Sequence, residues 1–150
     1  MTDLLLAFGH HILVFSLVAL LAAEFALVAR RISAAEVHVL SALDRLYGLC
    51  AMLILAVGFS RLFLGAKGAG FFLHNPVFWA KLAFFLAVGL VSALPTVRFV
   101  RWKRALQADA AFTPSAAEVT GVRRLMAIEL ALFVPIPLLA AAMARGYGLQ

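Results

Sequence analysis

The sequence has few charged residues and a single cysteine, and both shortages restrict what kind of protein it can be. Only 13% of its 150 residues are charged, about half the share in an ordinary soluble domain. Because 65% are hydrophobic, too few polar residues remain for a water-facing shell, and lipid is the predicted surrounding of most of the surface. A lone Cys50 excludes an intrachain disulfide and a thiolate metal cluster, and its apolar neighbours predict an inert buried thiol.

The motifs of soluble enzymes are missing as well. There is no glycine-rich phosphate loop, nucleophile triad, thiol metal motif or pair of catalytic carboxylates at one depth. The N-terminus begins MTD and lacks the positive charge of a secretory signal, and its apolar run from Leu4 to Ala29 is too long for one. The net charge of +6 is an ordinary outcome of membrane topology, so nucleic acid is not an expected partner.

Four apolar runs are each long enough to cross a bilayer about 30 Å thick, which takes about 20 helical residues. They cover Leu4–Ala29, Leu43–Leu64, Pro76–Val97 and about Arg124–Ala144. The predicted fold is therefore an all-α, integral membrane four-helix bundle that forms a single domain over residues 1–150. Pro76 suits the first turn of the third helix, whereas Pro135 and Pro137 predict a kink in the fourth.

Positive charge is concentrated on one side of this predicted bundle. The connections after the first and third spans, with their flanks, hold Arg30, Arg31, Arg45, Arg98, Arg101, Lys103, Arg104, Arg123 and Arg124. The opposite side holds Arg61, Lys67 and Arg145. The positive-inside rule then predicts cytoplasmic basic connections and places both termini outside.

The pentapeptide SAAEV occurs twice, at Ser33–Val37 and Ser115–Val119. Ser-x-x-Glu is the pattern of a capping box, so both copies predict a helix start in a basic connection. The alternative is an internal duplication, in which two hairpins are related by an axis along the membrane normal. His10 and Lys81 occupy corresponding positions in such a repeat.

Ionisable residues inside a span cost several kcal/mol and are functional candidates by default. His10 and Glu24 lie on the first predicted helix, Lys81 on the third and Glu129 on the fourth. His10 and Glu24 share one helical face, whereas His11 points about 100° away. His10 and Lys81 are expected at similar depths, about 9 and 7.5 Å from the outer ends of their spans.

Near the inner side, Glu24, Arg45 and Glu129 are predicted to form a structural ion network that pairs the helices, with a proton path as the alternative. Lys81 either extends its ammonium outward to the interface or offers it to an anion between the helices.

The stretch FFLHNPVFWAKL, residues 71–82, has two interpretations. It is either an interfacial aromatic belt anchored by Trp79 or a lid that brings His74 beside Lys81 and across from His10. In both interpretations Asn75 is a predicted N-cap.

The run LHNPVFWAKL, the GHH of the first helix and the DRLYGL at the start of the second resemble a bacterial family of four-span membrane proteins. This family is numbered 2214 among the domains of unknown function. The resemblance implies a multi-pass protein of the bacterial inner membrane and covers nearly the whole chain, most clearly residues 8–104.

A more distant resemblance is to the HemJ-like protoporphyrinogen oxidases and the CopD-like membrane domains. The residues that match their pattern are His10 or His11, Arg45, Trp79 and Lys81. That resemblance implies a b-type haem or porphyrin site between helices near the outer surface. In such a site His10 supplies one axial ligand of the haem iron. The second position is either filled by His74 or His11 or left open, as in a catalyst. The chain lacks the further histidine that often follows the lysine of the third helix in that family.

Three functions follow as hypotheses. The first is a membrane haem or porphyrin protein that acts as an oxidoreductase coupled to a quinone. The second is a non-catalytic subunit or assembly factor of a larger membrane complex. The third is a small-anion or proton-coupled carrier, for which four spans per chain favour a homodimer.

Overall fold

The computed structural model describes residues 1–28, 32–65 and 68–148. The helices are α1 (Thr2–Val28), α2 (Ala34–Leu64), α3 (Gly68–Leu73), α4 (Pro76–Ala108), α5 (Ala116–Phe133) and α6 (Pro135–Ala144). The predicted end of the first span at Ala29 and the charges of Arg30, Arg31 and Lys67 lie outside the described residues. Within them the fold is all-helical, and four helical segments are long and apolar enough to cross a membrane. The predicted fold class is thereby confirmed.

Two helices extend well past the predicted spans. α2 begins at Ala34 instead of Leu43, and α4 continues to Ala108 instead of ending near Val97. The 33 residues of α4 rise about 50 Å at 1.5 Å per residue. That length exceeds the hydrocarbon core of a bilayer, about 30 Å thick, so α4 projects beyond it.

The four long segments pack as an up-and-down bundle. α1 contacts α2 and α5, and α4 contacts α2, α5 and α6. The two termini lie beside the connection between α2 and α4, because Asp3 is next to Gly65 and Asn75 Nδ2 donates to the Tyr147 carbonyl at 3.1 Å. We call this end of the bundle the terminal end, and the opposite end, with the α1–α2 and α4–α5 connections, the basic end.

Large apolar side chains are buried at the basic end of the bundle but face outward along the spans. At the basic end a buried core forms beyond the predicted spans, from Ile32, Val37, Leu40, Phe99, Trp102, Leu106 and Val122. Along the spans large apolar residues face outward, and Leu90 of α4 is 77% exposed. Outward-facing leucine is stable in lipid but not in water, which agrees with a membrane-spanning bundle.

Local features of the helices agree with the sequence. Asn75 caps α4, since its Oδ1 accepts from the Val77 N–H at 2.9 Å, and Pro76 opens the helix. The fourth span is interrupted between Phe133 and Pro135, where α5 ends and α6 begins. Cys50 is buried and its Sγ donates to the Leu13 carbonyl at 3.1 Å, so it packs α2 on α1.

Both copies of SAAEV are capping boxes. Ser33 N–H donates to Glu36 Oε2 at 2.6 Å, and Ser115 N–H donates to Glu118 Oε2 at 3.0 Å. In each copy the serine Oγ accepts from the backbone N–H of the glutamate. The prediction of two helix starts is confirmed, while the internal repeat and the side of the membrane that each end faces stay predictions.

Substitution of Ser115 by alanine is expected to lower the free energy of unfolding by about 1 kcal/mol, because α5 loses its N-cap acceptor. Equilibrium unfolding in mixed micelles, followed by helical circular dichroism, measures this loss. Thr120→Ala is the matched control, since its hydroxyl donates within the same helix to Ala116 O but caps nothing. Equal losses in the two variants would contradict a capping role.

Candidate functional site

A cavity of about 140 Å³ lies between the helices toward the terminal end. Its wall is mostly apolar and aromatic and draws on the first three spans and on both parts of the fourth. Phe72 of α3 and Phe78 of α4 line it and contact each other with ring centroids 5.8 Å apart. The short α3 is therefore part of the wall, and Phe72 and Phe78 both belong to the stretch 71–82 for which a lid was one of the two interpretations.

Three basic side chains from three helices face this cavity: His10 of α1, Arg61 of α2 and Lys81 of α4. The three groups lie close enough to interact electrostatically. His10 is within range of Lys81 and of Arg61, and Lys81 is within range of Arg61. His10 Nδ1 and Arg61 Nε are buried and have no hydrogen-bond partner among the described residues. Lys81 Nζ lies 5.6 Å from the centre of the Phe78 ring.

The part of the wall that the structure describes contains no aspartate or glutamate. The cavity is therefore a positively charged site in an apolar frame. His10 and Lys81, which the sequence placed at similar depths, are brought together here.

Three other candidate residues lie elsewhere. His11 is exposed, with Nδ1 2.6 Å from the Ala7 carbonyl, and His74 is exposed, with Nδ1 2.9 Å from the Gly70 carbonyl. Trp79 is 51% exposed, and its Nε1 donates to the Leu73 carbonyl at 2.9 Å. None of the three lines the cavity, and the position of Trp79 suits an aromatic belt.

A second group of polar side chains lies nearer the basic end and is acidic. Glu24 of α1, Asp44 of α2 and Glu129 of α5 are all buried. Tyr47 donates its hydroxyl to Glu129 Oε1 at 2.5 Å, and Thr96 Oγ1 lies 2.6 Å from Asp44 Oδ1. We call these five residues the inner carboxyl cluster.

Arg45 is not part of the inner carboxyl cluster. Its side chain is exposed, and its Nε donates to the Ser41 carbonyl at 3.2 Å. The structure brings Glu24 and Glu129 together as predicted, but Asp44 takes the place that the sequence assigned to Arg45. The expected ion network is replaced by carboxyl groups held by hydroxyls.

Arg61, Asp44 and Tyr47 were missed as site residues. Asp44 and Tyr47 could have been found from the spacing of α2, because they lie on the same helical face as Cys50 and Ile54, three to four residues apart. Arg61 lies near the end of an apolar run, where an interfacial position is the ordinary expectation. Only the packing of α2 against α1 and α4 turns it toward the cavity.

The residues around the cavity do not fit a haem in this arrangement. Sites for drug-sized ligands have volumes of about 300–1,000 Å³, well above the 140 Å³ of this cavity. A porphyrin is at least as large as a drug-sized ligand. His10 is the one histidine of the described lining. Over the described residues, no group of three or more His, Cys, Asp or Glu side chains is arranged to hold a metal ion.

Comparison with known proteins places the whole described fold in one family. Residues 2–148 match the family described as Predicted membrane protein (DUF2214). No curated protein and no solved structure matches the chain significantly, and the relation to the HemJ-like and CopD-like proteins stays a prediction. The family match, together with four apolar helical spans, shows that this chain belongs to the DUF2214 family of predicted membrane proteins.

Proposed function

We propose that this membrane protein is a small-anion carrier whose binding site is the cavity lined by His10, Arg61 and Lys81. The observation that carries the proposal is the meeting of three basic side chains, from three helices, in one cavity whose described wall lacks a carboxylate. Extension toward the interface, the alternative for a single lysine, does not account for three converging groups.

The energetics favour an anionic occupant. An unpaired cation between membrane helices costs several kcal/mol unless a negative charge compensates it. The guanidinium of Arg61 offers a planar set of donors that suits oxyanions, while the ammonium of Lys81 acts as a compact point charge. A bound anion would satisfy both groups and the free Nε of Arg61.

The size of the cavity restricts the anion. A volume of about 140 Å³ corresponds to only a few water molecules at about 30 Å³ each. Nitrate, chloride, phosphate and short carboxylates are of suitable size. Ile136 and Met143 of α6 line the cavity, so this part of the wall lies directly after the interruption of the fourth span at Val134.

Substitution of Lys81 by methionine is expected to weaken anion binding about tenfold or more, because a hydrogen bond to a charged group contributes about 1.5–3 kcal/mol. Titration calorimetry of the detergent-solubilised protein against nitrate, chloride, phosphate and acetate measures the affinities. Lys103→Met is the matched control, as Lys103 lies on the same helix but does not line the cavity. Absence of binding by the wild type across this panel would refute the proposal.

Transport is tested separately in reconstituted vesicles. The anion bound most tightly should enter vesicles that contain the wild type faster than protein-free vesicles, and Lys81→Met should abolish the difference. Binding without uptake would retain the site and remove the carrier role.

Haem binding stays a second proposal, which rests on the resemblance and on the position of His10 among aromatic residues. It requires the helices to separate further than they do around the present cavity. The absorption spectrum of the purified protein decides it. A Soret band that disappears in His10→Ala and survives in His38→Ala would support haem, and a colourless protein that takes up no added haemin would refute it.

A further inference from the structure

The inner carboxyl cluster contains three deeply buried acidic side chains. Glu24 is 3%, Asp44 9% and Glu129 1% exposed. Glu24 is within electrostatic range of both other carboxyl groups. Asp44 is likewise within electrostatic range of Glu129. Three such groups from three helices cannot all carry a charge without compensation, since each buried anion costs several kcal/mol.

No positively charged side chain compensates them within the described part of the bundle. Arg45 of α2 is exposed and bonds to a backbone carbonyl. Arg123 of α5 is also exposed, with its guanidinium 5.7 Å from the centre of the Phe25 ring. α4 contributes only the hydroxyl of Thr96. Protons are therefore the simplest compensation.

The hydrogen bonds indicate where the protons are. Glu129 accepts the hydroxyl proton of Tyr47 at 2.5 Å, which stabilises Glu129 as a carboxylate. Glu24 has the opposite surroundings, because it is more than nine-tenths buried and its Oε1 has no partner among the described residues. An ionised Glu24 would leave a buried charge with an unfilled oxygen, so the neutral acid is favoured.

Asp44 has one neutral hydrogen-bond partner among the described residues, the hydroxyl of Thr96. The threonine hydroxyl has one proton and two neighbours, the Ser92 carbonyl at 3.1 Å and Asp44 Oδ1 at 2.6 Å. A carbonyl can only accept. The single hydroxyl proton is therefore shared between the two oxygens, and one shared neutral donor does not offset the cost of an ionised Asp44 that is only 9% exposed.

We infer that the inner carboxyl cluster is a proton-binding site, in which Glu24 and Asp44 hold protons at neutral pH and Glu129 is the carboxylate. The site is separate from the anion cavity, and the inference does not depend on anion binding. Asp44 and Thr96 also line a groove of about 500 Å³ between α2 and α4, widened by Gly48 and Gly89. Because this groove faces outward along the spans, an apolar reagent can reach Asp44 from the lipid.

Dicyclohexylcarbodiimide tests whether Asp44 holds a proton, because this reagent reacts with protonated carboxyl groups in apolar surroundings. Applied to the full-length protein in vesicles at neutral pH, it should modify Asp44, as located by peptide mass spectrometry. A water-soluble carbodiimide should not modify Asp44. Asp44→Asn should abolish the modification, whereas Asp109→Asn, at the exposed C-cap of α4, should leave it unchanged.

Infrared spectroscopy of the wild type provides a measurement that needs no variant to fold. The carbonyl stretch of buried carboxylic acids should be present in the wild type at neutral pH, which by itself tests the inference. In addition, the band should lose intensity in Glu24→Gln and in Asp44→Asn, but not in Glu129→Gln. Absence of an acid band from the wild type, or an unmodified Asp44 at neutral pH, would overturn the inference. Failure of the anion titration would leave both measurements unaffected.

Discussion

Replacement of Trp102 by alanine is expected to lower the free energy of unfolding by about 3–5 kcal/mol, the range for large aromatic residues in packed cores. Trp102 is 1% exposed and lies in the part of α4 beyond the predicted span. Its ring is 5.7 Å from that of Phe99, one helical turn away. Both belong to the same buried cluster as Leu40 of α2 and Val122 of α5.

The expected loss is large because this core is at the basic end, where unfolding exposes it to water. Apolar side chains there are held by the full hydrophobic effect, whereas in the spans lipid is as apolar as the leucine that it contacts. Leu90→Ala on the lipid-facing surface of the same helix is therefore the control and should change the stability by less than about 1 kcal/mol.

The two variants are compared by unfolding in mixed micelles. Far-ultraviolet circular dichroism follows the loss of helix and does not depend on tryptophan fluorescence. Trp102→Phe should lie between them, since it retains most of the apolar volume. If Trp102→Ala and Leu90→Ala were equally mild, the basic end would not be a packed core in water, and α2 and α4 would not stabilise each other beyond the membrane.

Removal of the Tyr47 hydroxyl is expected to lower the free energy of unfolding by about 1–3 kcal/mol, the cost of an unsatisfied buried acceptor. The hydroxyl is the one hydrogen-bond donor found to Glu129 among the described residues. In Tyr47→Phe the ring and its packing are retained while the carboxylate loses its partner. The same unfolding measurement applies.

The second half of this test removes the acceptor. Glu129→Leu eliminates the carboxyl group together with its hydrogen bond and leaves the Tyr47 hydroxyl without this acceptor, whereas replacement of both partners by apolar groups is often nearly neutral. In the double variant the effect of Tyr47→Phe should be much smaller than in the wild-type background, so the cycle yields a coupling of 0.5–3 kcal/mol as for other paired residues. Additive effects would show that the two side chains do not interact.

The two polar sites are separated by an apolar layer that includes Leu17, Phe85 and Phe133, which line the cavity of His10, Arg61 and Lys81. A positively charged site at the terminal end and an acidic site toward the basic end thus lie in one bundle without direct contact. Coupling between anion binding in the cavity and proton binding in the inner carboxyl cluster would therefore require movement of this layer.

Local sequence was sufficient for much of the architecture. The four spans follow from runs of apolar residues, and the caps at Ser33, Ser115 and Asn75 follow from short motifs whose hydrogen bonds close within three residues. The interruption of the fourth span follows from proline chemistry at one position. Each of these features depends on a few neighbouring residues, which is why they could be predicted without knowledge of the packing.

The content of the two polar sites depended on tertiary structure. Asp44 and Arg45 are adjacent, and a difference of about 100° around the helix axis decides which one enters the bundle and which one faces outward. The bond between Tyr47 and Glu129 joins residues 82 positions apart, and Arg61 reaches the cavity only through the packing of α2 on its neighbours. Helical rotation and contact between distant segments are set by the whole bundle, so no local pattern specifies them.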